Sequence, residues 1–183
     1  YLYKHYQLSI DCMRLATEYA EPIITIMVYC DRNFYYSLAL LGRYLQTEPS
    51  QQVEDMAIVV ENQEKMQLWA SHIPANHRHK YELVEAEKAR VLGETLRAME
   101  YYDRAIQSAK ESEYIACEAL ANELAAEFYL SLGREKIAQT YMIEAHYCYS
   151  RWGAQAKVED LESRYPQFIS KASPDKRPGV YTI

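Results

Sequence analysis

Glycine is scarce in this 183-residue chain, occurring only at Gly42, Gly93, Gly133, Gly153 and Gly179. That is too sparse for a phosphate-cradling loop of the GxxxxGK[ST] or GxGxxG kind, which excludes nucleotide chemistry of those types on this segment. Excess positive charge is also lacking. Acidic residues outnumber basic ones by 26 to 20, and a net charge of −6 gives no electrostatic reason to bind nucleic acid or an anionic membrane. The four cysteines, Cys12, Cys30, Cys117 and Cys148, form no CxxC pair and lie 18, 87 and 31 positions apart. Such spacing reads as reduced thiols of a cytoplasmic protein rather than a disulfide framework. Long apolar runs are missing as well: Ile23 to Cys30 is broken by Thr25 and followed by Asp31 and Arg32, far short of the roughly 20 residues of a membrane span. No cationic leader with an apolar stretch opens the chain at Tyr1, and the first residues read as a boundary inside a longer polypeptide.

What is present is apolar material at helical spacing, 49% hydrophobic residues with 18 tyrosines, enough for a sizeable core. Pro22, the cluster Thr47 to Ser50, Pro74 and Pro166 cut the chain into helix-length pieces. Phe34, Leu38, Leu41 and Leu45 make one stripe, and Met66, Trp69, Ala70 and Ile73 another. Leu83, Ala86, Ala89 and Leu92 share one face of the next segment, as do Ala98, Tyr102, Ala105, Ile106 and Ala109 of the one after. The expected fold is all-α. Gly93, Ala98, Tyr102 and Ala105 recur as Gly133, Ala138, Met142 and Ala145, each pair 40 positions apart, and Ala86, Glu87 and Leu92 recur as Ala126, Glu127 and Leu132. A helical hairpin with a glycine at its turn is therefore repeated. The small residues on the second helix let its partner approach, and a larger side chain there would overpack the contact.

The alternation of small, aromatic and small at Ala98, Tyr102 and Ala105 resembles the tetratricopeptide repeat, which implies antiparallel hairpins stacked as an α-solenoid over residues 1–165. Residues 166–183, with Pro174, Lys176, Arg177, Pro178 and Gly179, read as a Pro-rich linker. Longer stretches carry a more specific resemblance: Asn62 to Met66, His79 to Tyr81, Glu85 to Glu87, Ala119 to Ala126, Gly133 to Glu135, Arg151 to Ala154 and Val158 to Glu162 with Tyr165 and Pro166. In these the chain is similar to the helical region of large bacterial, notably cyanobacterial, hybrid signalling kinases. Such proteins combine a serine/threonine kinase, an AAA-like ATPase, helical repeats, a GAF sensor and a histidine kinase. The resemblance implies a cytoplasmic, non-catalytic module linking ATPase and sensor or kinase domains, with no cofactor, and with domains of the same polypeptide or a signalling partner as its ligands. None of the family's catalytic motifs falls on this chain.

Laid on the tetratricopeptide pattern, the first-helix groove positions include Lys80, Glu87 and Arg90 in one unit and Glu123 and Glu127 in the next. With Leu83 and Val84 beside them, these positions suit a docking helix or domain better than an acidic peptide terminus. The remaining candidates have bland readings. His72, His77 and His79 lie around Pro74 and read as histidines of a solvated loop capping helix ends, against a metal site. His146 and Cys148, two apart on a helix, diverge by about 200° and make no dyad. Glu82, Glu85, Glu87, Glu118, Glu123 and Glu127 read as a solvated face rather than paired carboxylates for acid–base work. Two competing readings are a free-standing adaptor that binds peptides in its groove and an enzyme or small-molecule receptor with a pocket among the tyrosines.

Overall fold

A computed structural model describes residues 1–18 and 26–169. Pro22 and the tail from residue 170, including Pro174 to Gly179, lie outside the described residues. The helices are α1 (Tyr6–Glu18), α2 (Ile26–Arg43), α3 (Pro49–His72), α4 (Pro74–Val91), α5 (Thr95–Glu111), α6 (Ile115–Ser131), α7 (Glu135–Trp152), α8 (Gln155–Arg164) and α9 (Pro166–Ile169). No strand occurs among the described residues. A 3-10 turn, Tyr44–Gln46, joins α2 to the Thr47–Glu48 break, and Pro49 then opens α3, where its missing N–H costs nothing.

Helices adjacent in sequence pack on one another, most extensively α4 on α5 and α6 on α7. The turns explain this regularity. Gly93, Gly133 and Gly153 have φ of 74°, 70° and 82°, and Glu113 takes the same left-handed conformation at 59°. After each, the next amide reaches back to a carbonyl five residues upstream: Glu94 to Ala89 at 2.9 Å, Tyr114 to Ala109 at 2.9 Å, Arg134 to Tyr129 at 2.9 Å and Ala154 to Tyr149 at 3.0 Å. These are Schellman caps, which satisfy the orphan carbonyls and turn the chain. The caps recur every 20 residues, half the 40-residue period, because the α5–α6 turn uses Glu113 where its neighbours use glycine.

Ala98, Tyr102 and Ala105 on α5, and Ala138, Met142 and Ala145 on α7, are all buried, as the repeat requires. Phe34, Leu38, Leu41, Met66, Leu83, Ala86 and Ala89 are buried too. Leu45, Ile73 and Leu92, which extend the same stripes, are exposed because each lies beyond its helix end, where the period no longer applies. The expected linker boundary at 166 moves. Pro166 starts a helix, and Phe168 and Ile169 are buried beside Met142, Tyr149 and Leu161, so the packed structure continues through Ile169. Among the described residues no helix is long and apolar enough to cross a membrane.

Candidate functional site

Helices α4 and α6 are covered on more than one side, and this changes the status of their charged residues. Glu82, Glu85, Glu87 and Glu123 are buried, where a solvated face was expected; Glu118 and Glu127 are half-buried. Each buried carboxylate meets donors, as removal from water demands. Glu82 accepts from the Ser108 hydroxyl and faces Arg78 and Arg104 at 3.5 Å. Glu85 meets Lys88 at 2.6 Å, Arg97 at 3.0 Å and the Gln63 amide at 3.1 Å. Glu87 accepts from the Tyr102 hydroxyl and pairs with Arg90 at 2.7 Å. Burial alone would depress the charge on Arg90, yet Glu87 beside it holds the guanidinium firmly protonated, well above the ordinary arginine range.

The five groove positions divide into two groups. Lys80, Glu87 and Arg90 of α4 are met by α2 and α5: Lys80 reaches Asp31 at 2.5 Å, and Arg90 donates to the Leu41 carbonyl at 3.4 Å. Helix α2 of the same chain thus lies against these positions. Glu123 and Glu127 of α6 form a second cluster with α8 and with the segment preceding α1. Glu123 has Lys157 at 2.9 Å, Arg164 at 2.7 Å, Lys4 at 3.6 Å and the Tyr149 hydroxyl at 2.8 Å. Glu127 has Lys4 at 2.8 Å, Arg164 at 3.1 Å and the Tyr165 hydroxyl at 3.1 Å. Burial works to raise the Glu123 carboxyl, but Lys4, Lys157 and Arg164 together hold it below the usual carboxylate range. A cavity of about 150 Å³ lies between the two groups, lined by Tyr6, Gly42, Glu87, Arg90, Leu124 and Glu127 among others.

The partners Lys4, Asp31, Tyr102, Tyr149, Lys157 and Arg164 were not legible as a set. The repeat register placed Tyr102 on the inner face but gave no sign that its hydroxyl would be needed by Glu87. An excess of acids at inner-face positions was the available signal, since acids in those places require donors from neighbouring helices.

The histidines also differ from a solvated loop. His72 ends α3 and is exposed, but His77 and His79 lie within α4 and are buried. Both ring nitrogens of His79 lack a hydrogen-bond partner, and its ring lies 4.5 Å from that of Tyr114. Burial, with Lys80 and His77 nearby, lowers its pKa to about 4. No group of three His, Cys, Asp or Glu is placed to hold a metal ion among the described residues. His146 turns toward Glu162 at 2.8 Å, away from any dyad, and burial pushes the Cys148 thiol up to about 12. A thiol held protonated at neutral pH is a poor nucleophile.

Comparison with known proteins gives one line of relationship. Over 62 residues, 34% of its length, the chain is 39% identical to a hybrid signal transduction histidine kinase, histidine kinase G, of Dictyostelium discoideum. This is a loose, partial link to hybrid signalling kinases. The matched stretch is 2% of that much larger protein's length. No family model and no solved structure matches the chain.

Proposed function

We propose that this chain is a non-catalytic helical coupling module of a larger cytoplasmic hybrid signalling kinase, joining an ATPase module to sensor and kinase domains. The observation that carries the reading is the 62-residue likeness to a hybrid histidine kinase. The 20-residue recurrence of left-handed caps supports the stacked-hairpin, tetratricopeptide-like geometry, a form in which each hairpin contacts its neighbours along the stack. The parent would be an ATP-dependent serine/threonine and histidine kinase, and the ligands of the module would be its own neighbouring domains or a signalling partner. The charged inner-face residues serve cohesion in this reading: Glu87 and Glu123 anchor α5, α7 and α8 to the central helices. A free-standing peptide-binding adaptor is less favoured, since α2 and residues 1–5 already cover the groove positions.

The test has two arms. The purified chain, mixed with radiolabelled ATP, should neither release phosphate above a blank nor label itself. The reading frame followed to both sides should run into ATPase, sensor or kinase sequence; immediate stops on both sides, or nucleotide turnover by the chain itself, would contradict the proposal.

A further inference from the structure

Three helices meet at a junction that the Glu87 and Glu123 clusters leave unused. Helix α4 brings His77, His79 and Lys80, α2 brings Cys30, Asp31 and Tyr35, and Cys117 of α6 closes the third side with Tyr114 just before it. His79 is 1% exposed and His77 6%. Both ring nitrogens of His79, and Nδ1 of His77, are shut off from water without a hydrogen-bond partner. Lys80 and Asp31, 2.5 Å apart, already balance one another's charge, and Tyr114 presents its ring to both His79 and Lys80.

A neutral imidazole tolerates this setting at the cost of unmade hydrogen bonds, but an imidazolium does not. A proton on His79 adds a second positive charge beside Lys80, and neither of the resulting N–H groups has an acceptor. Asp31 favours the added charge, whereas Lys80 and His77 oppose it. Burial raises the Cys30 thiol, the Cys117 thiol to about 11 and the Tyr35 phenol to about 12, so none of these supplies a counter-charge. The closed junction therefore excludes the proton, and a proton favours the open one.

The ties along α2 show where it opens. Its last turn is held by Arg43 to Asp55 at 2.8 Å and by Arg90 to the Leu41 carbonyl, whereas near its start Lys80 ties Asp31 to α4, and the added charge acts there. Cys148 lies in a different core, with Met142, Tyr149, Leu161 and Phe168, which α6 to α9 build. Opening of one packed unit while another stays closed is common where two cores share a chain.

We propose that this junction is an acid-operated latch: a proton on His79 parts the first half of α2 from α4 and α6 and bares the Cys30 and Cys117 thiols, while the core of α6 to α9 stays closed.

The experiment labels the full chain with 4,4′-dithiodipyridine, which reacts with thiols down to acidic pH. Digestion and mass spectrometry give the rate at each cysteine, and each rate is divided by that of exposed Cys12 to remove the reagent's own pH dependence. Opening driven by one histidine strengthens by up to about tenfold per pH unit below the ordinary value of 6.5. Between about pH 6.5 and about pH 4.5 the relative rates at Cys30 and Cys117 should therefore rise together by at least about tenfold, while that at Cys148 stays level. In His79→Leu the rise should vanish; if that variant loses its helical circular dichroism, His79→Phe, which keeps a ring against Tyr114, is read in its place. A smaller rise at either thiol, a rise at Cys148 in step with the other two, or an undiminished rise in the His79 variant would each overturn the proposal.

Discussion

The Lys157 ammonium on α8 lies 2.9 Å from the Glu123 carboxylate on α6, with 2% and 1% of the two side chains exposed. A pair so removed from water is expensive to break from one side, because the remaining charge keeps its desolvation cost after losing its compensation. Lys157→Met should destabilise the fold by about 3 kcal/mol, the lower end of the range for such pairs, since Arg164 and Lys4 still face Glu123. Urea denaturation measures this, and a loss under about 1 kcal/mol would show that Arg164 and Lys4 neutralise Glu123 without it.

The left-handed caps make opposite predictions at two turns. A β-carbon on Gly133 meets no neighbouring atom within 4 Å, so Gly133→Ala should cost only the backbone penalty, about 1 kcal/mol. Glu113, a non-glycine residue at φ of 59°, already carries that penalty. Glu113→Gly should therefore stabilise the chain by a similar amount, visible as a raised midpoint in a urea melt.

Ala105 is buried on the face of α5 that packs against its neighbours. Ala105→Leu adds volume to a close helix contact and should cost about 1 to 3 kcal/mol. A thermal melt that does not shift would show that the repeat register is misplaced.

His79 sets a pH dependence. Its folded pKa of about 4 lies below the ordinary value of 6.5, so the native state resists a proton that the unfolded chain accepts. The contribution is fully present above pH 6.5 and is lost as pH falls toward 4, by about 3 kcal/mol at most. Asp31, which favours protonation, and Lys80 and His77, which oppose it, face the same ring. Replacing His79 with Leu should flatten the slope of stability against pH over this window, and an unchanged slope would assign the acid sensitivity elsewhere.

The hairpins were legible because their signals are local. Stripes at helical spacing, the glycines at 93 and 133 and the prolines at 49 and 74 each act within one or two turns of chain. The 20-residue recurrence was half hidden by Glu113, whose conformation no side-chain preference announces. The interior charges were less legible for a different reason: Glu87 and Glu123 look like solvent-facing helix residues until α5, α7 and α8 are laid against them. Tyr102 lies 15 residues from Glu87, Tyr149 lies 26 from Glu123, and Lys157 lies 34 from Glu123. Spacing along one helix encodes none of these pairings. Pro166 misled for a related reason, since proline both ends one helix and opens the next, and only the burial of Phe168 and Ile169 shows which role applies.

The proposed coupling role is tested most directly by phosphoryl transfer in the longer kinase polypeptide that the proposal places around this chain. Autophosphorylation from ATP should be measured in that polypeptide with Lys157 intact and with Lys157→Met, after hydrogen exchange confirms that α8 has loosened while the flanking domains remain folded. Coupling through this module predicts that the loosened variant changes the rate of autophosphorylation or abolishes its response to the sensor's stimulus. An identical rate and an identical response, with α8 demonstrably released, would contradict it.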